Sequence, residues 1–502
     1  MARFNSAIPQ KTTKTINRAG GAAYKQTDKL EFISLLLTSL IKDQYYRSAS
    51  EQVTRTQELV RGLADKEFLA KSAIFARNEF GMRSITHVVA AEVANTVKGA
   101  DWTKDFFAKV VYRPDDMTET LAYYLRTYGK PIPNSLKKGF AKAFGKFDSY
   151  QLAKYRGDGK NVSLVDVVNL VRPAPTEKNA EALKGLINDN LRSTETWEAK
   201  LTAAGQNSNT EEEKADAKAD AWKTLLAEKK LGYFAALRNI NNIIEQADAD
   251  TFNALLEVLV NEHMIKKSLV FPYRFLTAIN NLKGDSARVR KATVALTKAL
   301  DISCANIPVL DGDTLVVVDY SGSMGNGPTS YRGIGSIFGA LMAKAQNGDF
   351  MIFGNSAAYI DYNPSIPALA LADEFMTHNN SSGWGSSSSV TGGKMQVGHG
   401  TDFPLIFKTI NKAYNRIVIF SDMQGWISGG APTKQFTEYK KKFNVTPKIY
   451  SFDLSGQGDM MFPENDVYCI AGFSDKIFDI MKMLEQDCKA LVHMIEKISL
   501  KD

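Results

Sequence analysis

Thiol and imidazole side chains are scarce in this chain. Its three cysteines, Cys304, Cys469 and Cys488, are an odd number at distant positions, which fits neither a disulfide framework nor a zinc cluster. They read as buried small apolar residues. The five histidines, His87, His263, His378, His399 and His493, fall singly. No stretch approaches the roughly 20 apolar residues of a membrane span, and Met1 to Gln10 lacks the apolar core of a secretory signal. These absences predict a soluble cytoplasmic protein with no membrane partner. Hydrophobic content of 44% with 10% aromatics, over 502 residues, is that of an ordinary globular protein of a few domains.

Positive charge is also unevenly placed. Residues 1–300 carry 46 Lys and Arg against 34 Asp and Glu, a net of +12, whereas residues 301–502 carry 16 against 21, a net of −5. A basic excess on one region argues for a polyanionic partner; it carries no sequence preference, so no DNA specificity is expected. A merely soluble basic surface is the plainer alternative.

The hydropathy pattern changes at the same boundary. A basic arm with Lys11, Lys14, Arg18 and Lys25 around Gly20-Gly21 opens the chain and could drape over the next domain or be disordered. From Lys29 to about Leu300, helical periodicity recurs, with Leu30, Ile33, Leu37, Leu40 and Ile41 first, then Phe68–Phe80, Thr118–Tyr128, Ser135–Phe147, Phe252–Val260 and Ala287–Leu300. This predicts an all-α region, 1–300, of antiparallel helix pairs as in HEAT-like solenoids. Glu211–Lys230 reads as a charged, solvated helical excursion. Residues 301–502 alternate strands with helices, which predicts an α/β doubly wound parallel sheet.

That second region is organised around Thr314 to Met324, Thr-Leu-Val-Val-Val-Asp-Tyr-Ser-Gly-Ser-Met. Leu315 to Val318 suits a strand buried on both faces, and Asp319 falls at its carboxyl end, where open α/β sheets bind ligands. Thr401, in Gly398-His399-Gly400-Thr401-Asp402, and Asp422, after Ile417 to Phe420, bring oxygen groups from two more strand ends. Oxygen donors without sulfur point to a hard divalent cation, Mg2+ first. Helix capping by Ser321 or Ser323 without a metal is the alternative.

Asp319-x-Ser321-x-Ser323 with Thr401 and Asp422 resembles the metal-ion-dependent adhesion site of von Willebrand factor A domains. The resemblance implies that Ser321, Ser323 and Thr401 ligate the cation directly, and that Asp319 and Asp422 act through water. A partner's carboxylate can then fill an open position. Tyr320, bulkier than usual inside this motif, could cover the site or touch a partner.

A second resemblance spans nearly the whole chain. Asn17-Arg18-Ala19-Gly20-Gly21, Asp28, Leu30 to Leu37 and Tyr45-Tyr46 are similar to the opening of the TROVE module. So are Lys154-Tyr155-Arg156, Asp166 to Arg172-Pro173, Leu237-Arg238-Asn239 and, in the last segment, Ala471-Gly472-Phe473. TROVE followed by an A domain is the architecture of the Ro autoantigen family. The resemblance implies a helical-repeat ring (1–300) closed by the A domain (301–502), binding small noncoding Y-like RNA outside and misfolded RNA in the hole, in a ribonucleoprotein. An RNA-processing nuclease is a candidate protein partner at the metal.

The basic region offers places for RNA. On a helix through Ser135 to Phe147, Lys138, Lys142 and Lys146 recur every fourth residue, opposite Leu136, Phe140 and Phe144, and such ammonium groups neutralise phosphates without reading bases. Lys154, Tyr155, Arg156 and Lys160 add an aromatic among cations that could stack on a splayed base. Arg77 and Arg83, flanking Gly81, could face a ring lumen, or pack or cap instead. Leu164 stands where RNA-binding relatives of that family often carry histidine, and Trp384 is a candidate exposed contact.

Two other readings stand beside this one. A protein-docking scaffold without RNA could use the metal site alone. A metal-dependent hydrolase or nuclease is disfavoured, because a two-metal centre needs several converging carboxylates, and His399 is a poor candidate for a base. A non-enzyme is the expectation.

Overall fold

A computed structural model describes residues 14–25, 28–39, 48–157, 159–191, 197–206, 210–268, 270, 272–303, 307, 309–379, 389–391, 393–457, 459–462, 467–471, 481–482 and 490–501. Lys11, Leu40, Ile41, Tyr45, Tyr46, Cys304, Trp384, Gly472, Phe473 and Cys488, named above, lie outside them.

By packing, the chain divides into two compact units. One takes described residues within 1–52, 270–281 and 296–494; the other takes those within 53–269, 282–295 and 495–502. This partition differs from a linear boundary at residue 300, because each end of the chain joins the unit remote from it in sequence. At the N-terminus, strand β1 (Lys14–Ile16) pairs antiparallel with β2 (Ala22–Lys25), and the first helix, α1 (Asp28–Thr38), packs in the sheet-bearing unit. At the C-terminus, Lys109 Nζ donates to the Ser499 and Lys501 carbonyls, and Lys501 pairs with Asp101 at 2.5 Å.

The other unit is helical from α2 (Ala49–Gly62) through α3 (Lys66–Asn78), α4 (Ser84–Thr96), α5 (Thr103–Val110), α6 (Pro114–Tyr128), α7 (Asn134–Ala143), α8 (Ser149–Lys154), α9 (Leu164–Val171) and α10 (Ala180–Ile187). Polar residues start these helices where the chain turns: Asp65 caps α3, and Asp148 with Gln151 and Ser163 with Asp166 form reciprocal caps on α8 and α9. Alternate helices touch, α3 with α5, α5 with α7 and α4 with α6, which is the two-layer stacking of a helical-repeat solenoid. Gly139 lets α7 cross close to α5, since a Cβ there would lie 2.4 Å from Phe107 Cβ. Phe140 and Phe144 are fully buried behind it, each worth roughly 1.5–3 kcal/mol of transfer free energy.

The helix Glu211–Ala227 is not simply solvated. Thr210 caps its acidic first turn, but Trp222, Leu225 and Leu226 near its other end are buried, and Trp222 Nε1 donates to Gln246 Oε1 at 3.0 Å. Its charged sequence conceals a short apolar stripe confined to the last two turns.

The sheet-bearing unit holds six strands in the spatial order β11 (Val467–Ala471), β9 (Lys448–Asp453), β8 (Arg416–Ser421), β3 (Thr314–Asp319), β4 (Asp349–Phe353) and β5 (Ala357–Ile360). All neighbours are parallel except β4 and β5. Separately, β6 (Ser389–Thr391) pairs antiparallel with β7 (Lys394–Gln396), and β10 (Asp459–Met460) pairs with β2. β3 is central and wholly buried, as an unbroken apolar run requires. The helix Tyr331–Gln346 lies close over it because Gly335 and Gly339 have no side chain. A Cβ at Gly339 would sit 2.9 Å from Val318 Cγ2 and from Phe350 Cε2. From β3 the order runs to β4 on one side and β8 on the other, so the crevice of a doubly wound sheet opens at the tips of β3 and β8.

Candidate metal centre and nucleic-acid interface

Three segments meet at that crevice. Asp319, 0% exposed, ends β3; its Oδ1 accepts from the Ser321 N–H at 2.8 Å and its Oδ2 from the Ser421 hydroxyl at 2.6 Å. Ser321 precedes a single 3-10 turn, Gly322–Met324, yet its side chain makes no capping bond. Instead Ser321 Oγ and Ser323 Oγ lie 3.3 Å apart, with Ser323 hydrogen-bonded toward Asp422. The hydroxyls therefore face the carboxylates rather than the helix backbone, against the capping alternative.

Thr401, 1% exposed, comes from the third segment. The Gly322 N–H donates to the His399 carbonyl at 2.8 Å, which lays residues 399–401 along the β3 loop. Asn379 ties the same two segments. Its Nδ2 donates to the Tyr320 and Gly398 carbonyls, both at 2.9 Å, while its Oδ1 accepts from the N–H groups of Val397 and Gly398. Neither Asn379 nor Ser421 carried a sequence signal beyond standing in a loop and ending a strand.

Tyr320 neither covers the site nor faces a partner. It is 0% exposed, and its hydroxyl bonds Ser336 Oγ and the Phe375 carbonyl, each at 2.8 Å. Alternation along an extended chain points it away from the crevice while its neighbours Asp319 and Ser321 point in. The buried guanidinium of Arg332 lies over its ring, 5.1 Å from the centre, and donates to its carbonyl.

Electrostatics single out the carboxylate pair. Burial pushes Asp319 up to about 6, against hydrogen bonds from Ser321 and Ser421. Burial and the Asp319 charge push Asp422 further, to about 8. Two buried carboxylates, the second raised further by the charge of the first and both faced by serine hydroxyls, are a donor set suited to a hard divalent cation. Among the described residues no group of three or more His, Cys, Asp or Glu is placed to hold a metal, so any cation here would depend on the hydroxyls beside the carboxylate pair. His399 contributes through its main-chain carbonyl.

On the helical unit, Arg77 is buried and grips Asp116 through Nε and Nη2, both at 3.1 Å, with His87 Nε2 on the same carboxylate at 2.8 Å. It presents no surface to a polyanion. Burial alone would raise Asp116, but the His87 hydrogen bond and the Arg77 charge hold it well below the ordinary carboxylate range. Arg83 is more open, 40% exposed at its side chain, and meets Asp115 at 2.5 Å together with Arg113. Arg113 in turn lies 5.0 Å from the centre of the half-buried Tyr155 ring. The structure thus gathers Arg83, Arg113 and Tyr155. Arg113 was missed because Arg-Pro-Asp-Asp reads only as a helix start.

The lysines divide in two. Lys138 is exposed. The expected helix through Phe147 ends at Ala143 and continues as the 3-10 turn Phe144–Lys146. Lys142 pairs with Asp105 at 2.7 Å and ties α7 to α5, and Lys146 Nζ, from that turn, reaches the carbonyls of Ala108 and Val111 at the end of α5. Lys154 lies 5.9 Å from the Tyr150 ring, Lys160 pairs with Glu119 at 2.7 Å, and Arg156 pairs with Asp189 at 2.6 Å. Leu164 is buried at the start of α9.

The TROVE domain family model matches residues 26–214 and 187–306, more than half of the chain. Telomerase protein component 1 of Rattus norvegicus is 20% identical over 353 residues, and that of Mus musculus 22% over 354, each covering 53% of this chain. The chain spans only 13% of the length of those relatives. The crystal structure of the Deinococcus radiodurans Ro (RSR) protein superposes with a TM-score of 0.57 at 16% identity, over 92% of this chain and 99% of that one. The helical stack, the doubly wound sheet and the family match agree: this chain belongs to the TROVE domain family and has the fold of a Ro protein.

Proposed function

We propose that this chain is the RNA-binding component of a ribonucleoprotein, acting in the cytoplasm as a binding protein rather than an enzyme. The observation that carries the reading is the coincidence of the TROVE match, residues 26–306, with the region whose net charge is +12. Its ligands are small noncoding, Y-like or misfolded structured RNAs, held by phosphate contacts from Lys138, Lys142, Lys154, Arg156, Lys160 and Arg83. Tyr155 under Arg113 is the element suited to an unstacked base. The ion pairs of Lys142, Lys160 and Arg156 are exposed at one partner or both, and phosphate can compete for such cations at small cost.

In the sheet-bearing unit, Ser321, Ser323 and Thr401, backed by Asp319 and Asp422, would hold Mg2+, which when bound offers a coordination position to a partner's carboxylate. That makes it a docking point for a protein such as an RNA-processing nuclease. RNA crosslinked in native extract and sequenced from the purified protein tests the ligand class. Recovery of small structured RNAs joined to peptides of residues 134–172 is expected, and recovery of none would refute the reading.

A further inference from the structure

The turn at residues 17–21 fixes more than its own hairpin. Asn17 is 4% exposed; its Oδ1 accepts from the N–H groups of Ala19 at 3.1 Å and Gly21 at 2.9 Å, and its Nδ2 donates to the Gly425 carbonyl at 2.5 Å. The Arg18 N–H donates to Gln424 Oε1 at 2.8 Å. Gly21 is seated so closely that a Cβ would lie 2.0 Å from the Gly425 oxygen and 2.5 Å from Trp426 Cα. At Gly430 the corresponding position lies 2.6 Å from the Ala22 oxygen.

The loop held in this way is the one that leaves β8 through Asp422. The Gln424 N–H donates to Asp422 Oδ1 at 3.2 Å, and the N–H groups of Trp426 and Ile427 donate to the Thr401 carbonyl at 3.1 and 3.2 Å. One short loop therefore orients two members of the candidate cation site that arrive from different segments. Its backbone is costly: Met423 and Ser428 have φ of 60° and 49°, followed by Gly429 at 89° and Gly430 at 81°. Non-glycine residues persist in the left-handed region only where surrounding contacts over-determine them. The N-terminal turn supplies such contacts at Gln424, Gly425, Trp426 and Gly430.

We propose that Asn17 is a positioning residue for the cation site. Resting on the metal reading above, the inference is that the N-terminal turn clamps residues 424–430 and thereby holds Asp422 and Thr401 in register with Ser321 and Ser323. A chain with the clamp undone binds a divalent cation more weakly without losing its fold.

Mn2+ titration of the purified full chain, followed by electron paramagnetic resonance, tests this in Asn17→Asp, Gly21→Ala, Lys14→Ala and Ser323→Ala variants. Asn17→Asp keeps an acceptor for Ala19 and Gly21 and puts a carboxylate oxygen, which repels the Gly425 carbonyl, where the amide donor stood. It should bind Mn2+ about tenfold more weakly, the usual scale for removing a group that orients a ligand. Its metal-free melting temperature should stay within a few degrees of the parent, and the Trp426 and Ile427 amides should exchange faster. Gly21→Ala should follow it, and Lys14→Ala should match the parent. Unchanged Mn2+ affinity in folded Asn17→Asp, beside a parent that binds in a Ser323-dependent way, overturns the clamp alone. A parent that binds no Mn2+ overturns the metal reading and Asn17's role with it.

Discussion

Ser421 donates its hydroxyl to Asp319 across the junction of β8 and β3 at 2.6 Å, with both residues fully buried. The strand that carries Asp422 outward thus also holds the carboxylate of its neighbour. Ser421→Ala should leave the fold intact and weaken Mg2+ or Mn2+ binding by about tenfold. Isothermal titration would show it, and an unchanged affinity would remove Ser421 from the site.

The carboxylate pair predicts a pH dependence of defined sign. Asp319 and Asp422 titrate higher folded than unfolded, so between about pH 4, the unfolded carboxylate range, and about pH 8 the folded chain holds more protons. Metal-free stability should therefore fall as pH rises through that window. A cation bound to the ionised pair offsets the loss, so Mg2+ should raise the melting temperature more at pH 8 than at pH 5. An equal increment at both would contradict the assignment.

Arg77 and Asp116 form an ion pair with each side chain 3% exposed. Removing Arg77 takes the buried guanidinium from Asp116 and leaves it His87 and the N–H groups of Tyr112 and Arg113, so Arg77→Ala should cost about 3 kcal/mol in urea unfolding, the lower end for a broken buried pair. Asp116 titrates low, so its contribution is complete above about pH 4 and is lost as pH falls further. Folded Arg77→Ala should retain parental RNA affinity, while Arg83→Ala should lower it at little cost to stability. The reverse pattern would return Arg77 to the interface.

Trp222 is 1% exposed inside a helix in which nearly half of the residues are charged. Trp222→Ala should destabilise the helical unit by about 3–5 kcal/mol, seen as earlier proteolysis or unfolding. Exposed Glu212→Ala, on the same helix, should change stability by less than about 0.5 kcal/mol.

What the residues revealed in advance followed locality. Leu315 to Val318 had to be a central strand because an unbroken apolar run suits little else, and Asp319 at its end followed. The spacing of Lys138 and Lys142 on α7 was readable because helix geometry turns a sequence interval into a face. Ser421, Asn379 and Asn17 were not readable, since each acts on residues far along the chain, 408 positions away for Asn17 and Gly425. β1 and β2 were missed for the same reason: three or four residues of weak alternation become strands only beside a partner, and for β2 one partner is β10. Arg77 and Tyr320 attracted attention as charge and bulk near motifs, but burial decided their roles.

RNA binding by the full chain, stripped of co-purifying nucleic acid and titrated with a structured small RNA at 50 and 200 mM salt, tests the central claim most directly. With the six phosphate contacts proposed above, affinity should fall on the order of 1,000-fold between those salts. Replacing Lys138, Lys154, Lys160 and Arg83 together by alanine should flatten the dependence by roughly one unit of slope for each phosphate no longer neutralised. No binding by the stripped chain, or equal binding at both salts, would contradict the account.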